Sequence, residues 1–323
     1  HQQTNAGSQA RWRNFTDSVS PQLTPSIRQQ YEASGHVLVR NAVPAQLVNE
    51  LLLPELALLS TSPWASLFVP DLRKRFHVVS YGISLQLQAV QDFWTWGPVA
   101  DLAGPLLEKE GPLEERLANQ RPLLLADAFY GVAADSSGFA FHSDAETSYC
   151  LIPADTPGLS FWLALDDASN ESGGGLEVCD VVLPSASRSQ KCMSYTVQRG
   201  DAILFSRYTL HRTRPWHGKG GLRRALVGRL VPCDARLFTT YTPAQLVYTN
   251  GFDGSYLCKH GLSVGARLNG SMCFPPLGPP SVAMSDTHHL RLISPAWPLL
   301  ATVRSVFSGG RLTQAVALAL TLL

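Results

Sequence analysis

From Arg121 onward the chain is a succession of short apolar or alternating runs, and this feature most constrains the fold. "PLLLADAFYGV", "GFAFHSD", "TSYCLIP", "LSFWLALDD", "GLEVCDVVL", "MSYTVQRGDAILFS", "LHRTRPW" and "RRALVGRLVP" are divided by clusters of Gly, Pro, Asp and Ser. Each run is too short for a stable helix and rich in β-branched and aromatic residues. Runs of this kind, recurring every 10–20 residues or so between turn signals, predict an antiparallel sandwich or barrel.

The N-terminal part has a different pattern. Residues 1–23 are polar and mixed, and read as a loosely held arm. "TPSIRQQYEASG" has a capping Thr, Pro at the first helical position and a closing Gly, which together predict a helix. "HVLVRNAV" follows as a strand, and "PAQLVNELLLPELALL" returns to helical spacing interrupted by Pro54. Helix formers broken by Gly-Pro pairs run through 88–119. The tail from about 234 is rich in Pro and Gly, then weakly helical. The expected organisation is an arm (1–23), one domain (24–240) with its β core at about 121–232, and an extension (241–323) packed on the core or on a partner.

With 26 basic residues against 25 acidic ones, the chain offers no electrostatic footprint for nucleic acid. No apolar run approaches the roughly 18 residues a membrane span requires. "LTQAVALALTLL" (312–323) reads as a packed or interfacial helix, a candidate contact with a protein or a membrane surface. The sequence begins at His1, so a targeting segment is not visible and the compartment (cytoplasm, mitochondrion or plastid) is left open. The six cysteines, Cys150, Cys179, Cys192, Cys233, Cys258 and Cys273, show no zinc-ligand spacing. They are expected to be reduced thiols, with Cys258 and Cys273 the pair to consider for a bridge.

Polar residues that could carry chemistry interrupt the strand-like runs. His142 and Asp144 alternate in "FHSD", which puts them on one face of a strand. His211 comes 69 residues later in "ILFSRYTLHRT", just beyond a strand introduced by Gly200-Asp201. Two imidazoles and one carboxylate form the facial triad that non-haem Fe(II) enzymes use, with three coordination positions left open. The absence of thiolate argues against structural zinc. Twelve residues beyond His211, "LRRALVGRLV" places Arg223 and Arg224 at the start of an apolar strand. A charge there needs a partner, and guanidinium forks onto carboxylate.

The ordered pattern His-x-Asp, a long gap, His, and then Arg about a dozen residues later in an "RRAL" strand resembles the phytanoyl-CoA dioxygenase family of Fe(II)/2-oxoglutarate-dependent oxygenases. "YEASGHVLVRNAVPAQLVNEL" resembles that family's opening helix, strand and second helix, and "FWLALDDASNESGGGLEV" its Trp-containing strand and Gly-rich turn. The resemblance covers about residues 24–240. It implies a mainly β fold with flanking helices around a double-stranded β-helix (jelly-roll, cupin-like) core. It also implies that His142, Asp144 and His211 ligate iron and that Arg223 holds 2-oxoglutarate, with Arg224 on the opposite face if the register is right. The implied reaction oxidises a small molecule with O2, releasing succinate and CO2, by hydroxylation, cyclisation or desaturation. Halogenation is disfavoured by the carboxylate of Asp144. The substrate, the oligomeric state and the compartment are not specified. "LPSASRSQ" replaces the Pro-Gly-Ser-His stretch common in the family, and the segment around "TRPWHGKGG" also departs from it. A non-catalytic accessory protein using the barrel and the apolar C-terminus for assembly is the alternative.

Other polar residues have plainer readings. His217 and His260 are expected in solvated loops, and His36 and His77 in packing roles. Trp162 reads as core rather than as a wall of the cosubstrate pocket. Asp166, Asp167, Asn170 and Glu171 read as a solvated turn, Gly173 to Gly175 as a tight connection, and Arg199, Arg207 and Arg214 as surface charge.

Overall fold

The computed structural model describes residues 2–19, 23–59, 72–107, 121–134, 136–146, 148–149, 151–181, 191–218, 221–238, 264–268 and 274–278. Two antiparallel sheets face one another. The larger has six strands in the order β1 (His36–Val39), β8 (Ala202–Ser206), β5 (Leu159–Ala164), β10 (Arg223–Val231), β3 (Leu123–Val132) and β2 (Val78–Tyr81). The smaller has four, in the order β4 (Phe139–His142), β9 (His211–Thr213), β6 (Glu177–Cys179) and β7 (Cys192–Ser194). From β3 to β10 the chain passes back and forth between the sheets, apart from the β6–β7 pair, and this is the jelly-roll core expected from the sequence.

Strands β3 and β10 are buried along almost their whole length because both of their faces are covered. Their outer face receives helices α3 (Gln88–Trp96) and α4 (Val99–Leu107), and their inner face looks across to the small sheet. At Gly228 the strand needs the absence of a side chain, since a Cβ there would lie 2.5 Å from the Trp94 ring. The Trp94 indole N–H in turn donates to the buried carboxylate of Asp127 at 3.0 Å. Helix α2 (Pro25–Ser34) starts and stops as its sequence dictates. Thr24 Oγ1 accepts from the Ile27 amide, and Gly35 closes the helix at φ 78°, a left-handed conformation that suits glycine.

The structure departs from the sequence reading in four places. Residues in the expected loose arm form helix α1 (Gln2–Val19), whose Trp12 is fully buried with its ring 5.4 Å from Phe93. The low average hydropathy of α1 conceals a stripe of two large aromatics, Trp12 and Phe15, that docks it, with Arg11 on Glu50 and Arg13 over the Trp96 ring beside them. Strand β2 was not foreseen, being four residues isolated among helical segments. The described residues of the run "TSYCLIP" form turns rather than a strand, with Tyr149, Leu151 and Ile152 buried below them.

The cysteines differ as well. Cys179 and Cys192 form a disulfide, facing one another across the β6–β7 pair. Facing positions on antiparallel strands bring side chains together whatever their sequence spacing, so spacing could not reveal this pair. Cys233 is the free cysteine among the described residues, and Cys150, Cys258 and Cys273 lie outside them. The described parts of the C-terminal extension, expected on the core or on a partner, pack on the core. Leu268, Phe274 and Leu277 are buried, and Pro276 bridges to Leu123. The apolar segment 312–323 lies outside the described residues. Among the described residues no helix is long and apolar enough to cross a membrane.

Truncating Trp12 to alanine is expected to destabilise the protein by roughly 3–5 kcal/mol, the usual cost of removing a buried large aromatic. Urea unfolding followed by circular dichroism measures it, and a loss below about 1 kcal/mol would restore the loose-arm reading.

Candidate metal centre

Three elements bring His142, Asp144 and His211 together. His142 ends β4 and lies directly opposite His211, the first residue of β9, in the register of the small sheet. Asp144 is not on the strand, as simple alternation predicted. The strand stops at His142, and Asp144 opens a 3-10 turn, Asp144–Glu146, that folds the carboxylate back under the two rings. The Asp144 Oδ1 atom faces His142 Nε2 at 4.0 Å and His211 Nε2 at 3.9 Å. One donor atom from each residue falls within 4.8 Å of the others.

Hydrogen bonding fixes which imidazole nitrogen is available. His142 Nδ1 donates to the Ala140 carbonyl, and His211 Nδ1 to the Thr209 carbonyl, each at 2.9 Å. A carbonyl only accepts, so each Nδ1 must carry the proton and each Nε2 presents a lone pair to the cluster. Burial pushes the His211 pKa down to about 4 and lowers that of His142 as well, keeping both rings neutral at physiological pH. Burial alone would raise the Asp144 pKa. Arg229, His211, His142 and the 2.6 Å hydrogen bond from Ser160 Oγ outweigh it and hold the carboxyl well below the ordinary range. The cluster therefore offers two neutral imidazoles and one ionised carboxylate.

The triad opens into a cavity between the two sheets, and β10 crosses its wall. Arg223, Ala225, Val227 and Arg229, at alternate positions of that strand, all line it. Arg223 is buried, and its Nη1 donates to the carbonyls of Gly174 (2.9 Å) and Gly175. These glycines belong to the turn expected to be only a tight connection. Burial alone pulls the Arg223 pKa down, to about 10, still cationic at neutral pH, and no carboxylate among the described residues counters its charge. Arg224 points to the opposite face, where Asp166 binds it through Nε (2.8 Å) and Nη2 (2.7 Å). Asp166 is thus a partly buried ion-pair partner of Arg224 and Arg199, and not part of a solvated turn.

Several other assignments change on inspection of the structure. Trp162, expected to serve only as core, lines the cavity. So does Thr213, two residues beyond His211 and therefore on the same strand face. Arg207 is buried, spanning the carbonyls of Tyr149, Pro153 and Thr156. Arg199 and Arg214 are tied to Asp166 and Glu177, respectively. His36 is buried between Tyr195 and Asp180, while His77 and His217 are exposed. His260 lies outside the described residues.

No protein-family model matches the sequence, and no curated protein does. Solved structures do match. The non-haem alpha-ketoglutarate-dependent epimerase SnoN from nogalamycin biosynthesis superposes at a TM-score of 0.55 with 19% identity, over 78% of this chain and 97% of that one. SnoN in complex with Fe3+, alpha ketoglutarate and nogalamycin RO gives 0.57 at 19% identity, over 77% and 96%. The alpha-ketoglutarate-dependent carbocyclase SnoK gives 0.53 at 16% identity, over 79% and 96%. The chain has their fold.

The depressed histidine pKa values make stability depend on pH. Folded His211 gives up its proton at lower pH than the unfolded chain does, so between about pH 6.5 and 4 the unfolded state binds more protons. The native state should lose on the order of 2–3 kcal/mol as pH falls through that window. His211→Gln should flatten the dependence in denaturant melts taken between these limits.

Proposed function

We propose that this protein is an Fe(II)- and 2-oxoglutarate-dependent oxygenase acting on a small molecule. One observation carries the reading. A two-histidine, one-carboxylate donor set and a buried guanidinium that no carboxylate among the described residues counters open into the same cavity.

The donors fit the metal. Neutral imidazoles and a carboxylate suit Fe(II), three protein ligands leave positions for cosubstrate and O2, and no thiolate among the described residues joins the cluster. Arg223 fits the cosubstrate. Its Nε is buried with no hydrogen-bond partner, and a dicarboxylate reaching the end of the cavity supplies the missing negative charge in bidentate geometry. Iron and 2-oxoglutarate together supply the activation of O2 that oxidises an unreactive C–H bond, with succinate and CO2 as coproducts.

The protein's part is to hold and to shield. His142 and His211 offer Nε2 and Asp144 offers Oδ1, each oriented by a hydrogen bond from its other side. Ser160 fixes the Asp144 carboxylate in place. Trp162 and Leu176 keep the wall near Arg223 apolar, which strengthens the Arg–carboxylate attraction. The order of His142, Asp144, His211 and Arg223 along the chain supports the narrower assignment to the phytanoyl-CoA dioxygenase group. Hydroxylation, ring closure or desaturation are the outcomes this donor set favours. Asp144 occupies the position that halide would need.

Anaerobic protein supplied with Fe(II) and 2-oxoglutarate should develop a weak visible charge-transfer band, and His142→Ala, Asp144→Ala and His211→Ala should each abolish it. Arg223→Leu should leave iron binding intact and weaken 2-oxoglutarate roughly 10- to 100-fold, as loss of a charged hydrogen-bonding partner does. Arg224→Leu should leave the cosubstrate titration unchanged. A wild-type protein with no band and no succinate formation across a broad substrate panel would overturn the reading.

A further inference from the structure

Arg229 helps to hold Asp144 ionised, and it lies buried, 7% exposed, in the same cavity wall as Arg223. Its Nε lies 3.6 Å from Asp144 Oδ2 and makes no hydrogen bond, and its Nη2 reaches the Tyr130 hydroxyl at 3.4 Å. Asp144 is the only carboxylate among the described residues lining the cavity, and two guanidinium groups line it as well. One positive charge is therefore left over. A divalent iron and a dianionic 2-oxoglutarate cancel one another and leave that excess unchanged. Once Asp144 serves a metal and Arg223 serves the cosubstrate, Arg229 is left among the described residues with only a share of the Asp144 charge. A buried charge of this kind is costly unless a ligand neutralises it.

The wall beside Arg229 is aromatic. The Phe76 ring lies 5.1 Å from that of Tyr130 and 6.2 Å from that of Phe139, and the Phe139 ring meets the edge of His142 at 4.6 Å. This surface runs from the Arg229 partner Tyr130 to a member of the triad. It presents ring faces and edges where a flat apolar body can stack.

We propose that the substrate is a monoanion with a ring-bearing apolar body, its carboxylate paired with Arg229 and its ring against Phe76, Tyr130 and Phe139. The inference deepens the oxygenase reading and rests on it for the roles of Asp144 and Arg223. Placed so, the carboxylate is drawn to the floor of the cavity and the carbon chain beside it lies next to the triad. Arg229 then acts as a specificity-determining residue, separate from cosubstrate binding.

The test uses 3-phenylpropanoate and its neutral amide as probes, titrated into anaerobic protein carrying Fe(II) and 2-oxoglutarate. Binding is read from tryptophan fluorescence, since Trp162 lines the cavity, and from perturbation of the charge-transfer band. The acid should bind roughly tenfold or more tightly than the amide, the scale of a charged hydrogen bond. Arg229→Gln should make the two probes equal by fluorescence, and Arg229→Lys should keep the preference. Equal binding in the wild type, an acid preference that survives Arg229→Gln, or failure of both probes at millimolar concentration would each overturn the proposal. Absence of the band in the wild type refutes the oxygenase reading instead. The acid-against-amide comparison by fluorescence on metal-free protein, wild type and Arg229→Gln, then still decides the role of Arg229.

Discussion

Two guanidinium groups on the inner face of one strand, β10, set the terms for the rest of the molecule. Charges are tolerated inside a protein only where geometry supplies compensation. Here the compensation is unequal. Arg224, one position out of phase with them, leaves the cavity and finds Asp166. Arg223 is met by two backbone carbonyls, and Arg229 by part of a carboxylate that also faces two histidines. The cavity thus remains positive, and every functional inference follows from that polarity together with the lone pairs of the histidine rings.

Preorganisation of the triad is a property of the backbone. Both Nδ1 protons go to carbonyls two residues upstream in the chain, Ala140 for His142 and Thr209 for His211. The same local device, repeated on two paired strands, aims both rings at one point. Asp144 reaches that point because the chain leaves the strand one residue earlier and turns. Strand rigidity and a tight turn together place three donors without help from flexible loops.

Much of this was legible in the sequence. The strands from 123 to 231 follow the alternation and the turn residues closely, and the triad with its downstream arginine stood out as polar residues in apolar runs. Alternation also separated Arg223 from Arg224 correctly. What escaped notice obeyed the same rule or none. Arg229 lies six residues past Arg223, an even spacing that puts it on the same face, but one arginine near the end of a strand gives no signal by itself. The Cys179–Cys192 bridge depends on which strands become neighbours, which local pattern does not encode. Helix α1 was concealed because two aromatics in a polar segment are enough to dock a helix yet too few to shift its average hydropathy.

The glycine turn at 173–175 carries a consequence for how this protein can change. Arg223 is gripped there by main-chain oxygens, and Gly175 lies so close to Val197 that an added Cβ would sit 3.0 Å from it. The grip does not depend on any side chain of the turn, so exchanging its polar neighbours leaves the guanidinium where it is. Altering the length of the turn moves the oxygens and the arginine with them. Descendants of this sequence are therefore free to vary the letters around the turn but held to its residue count.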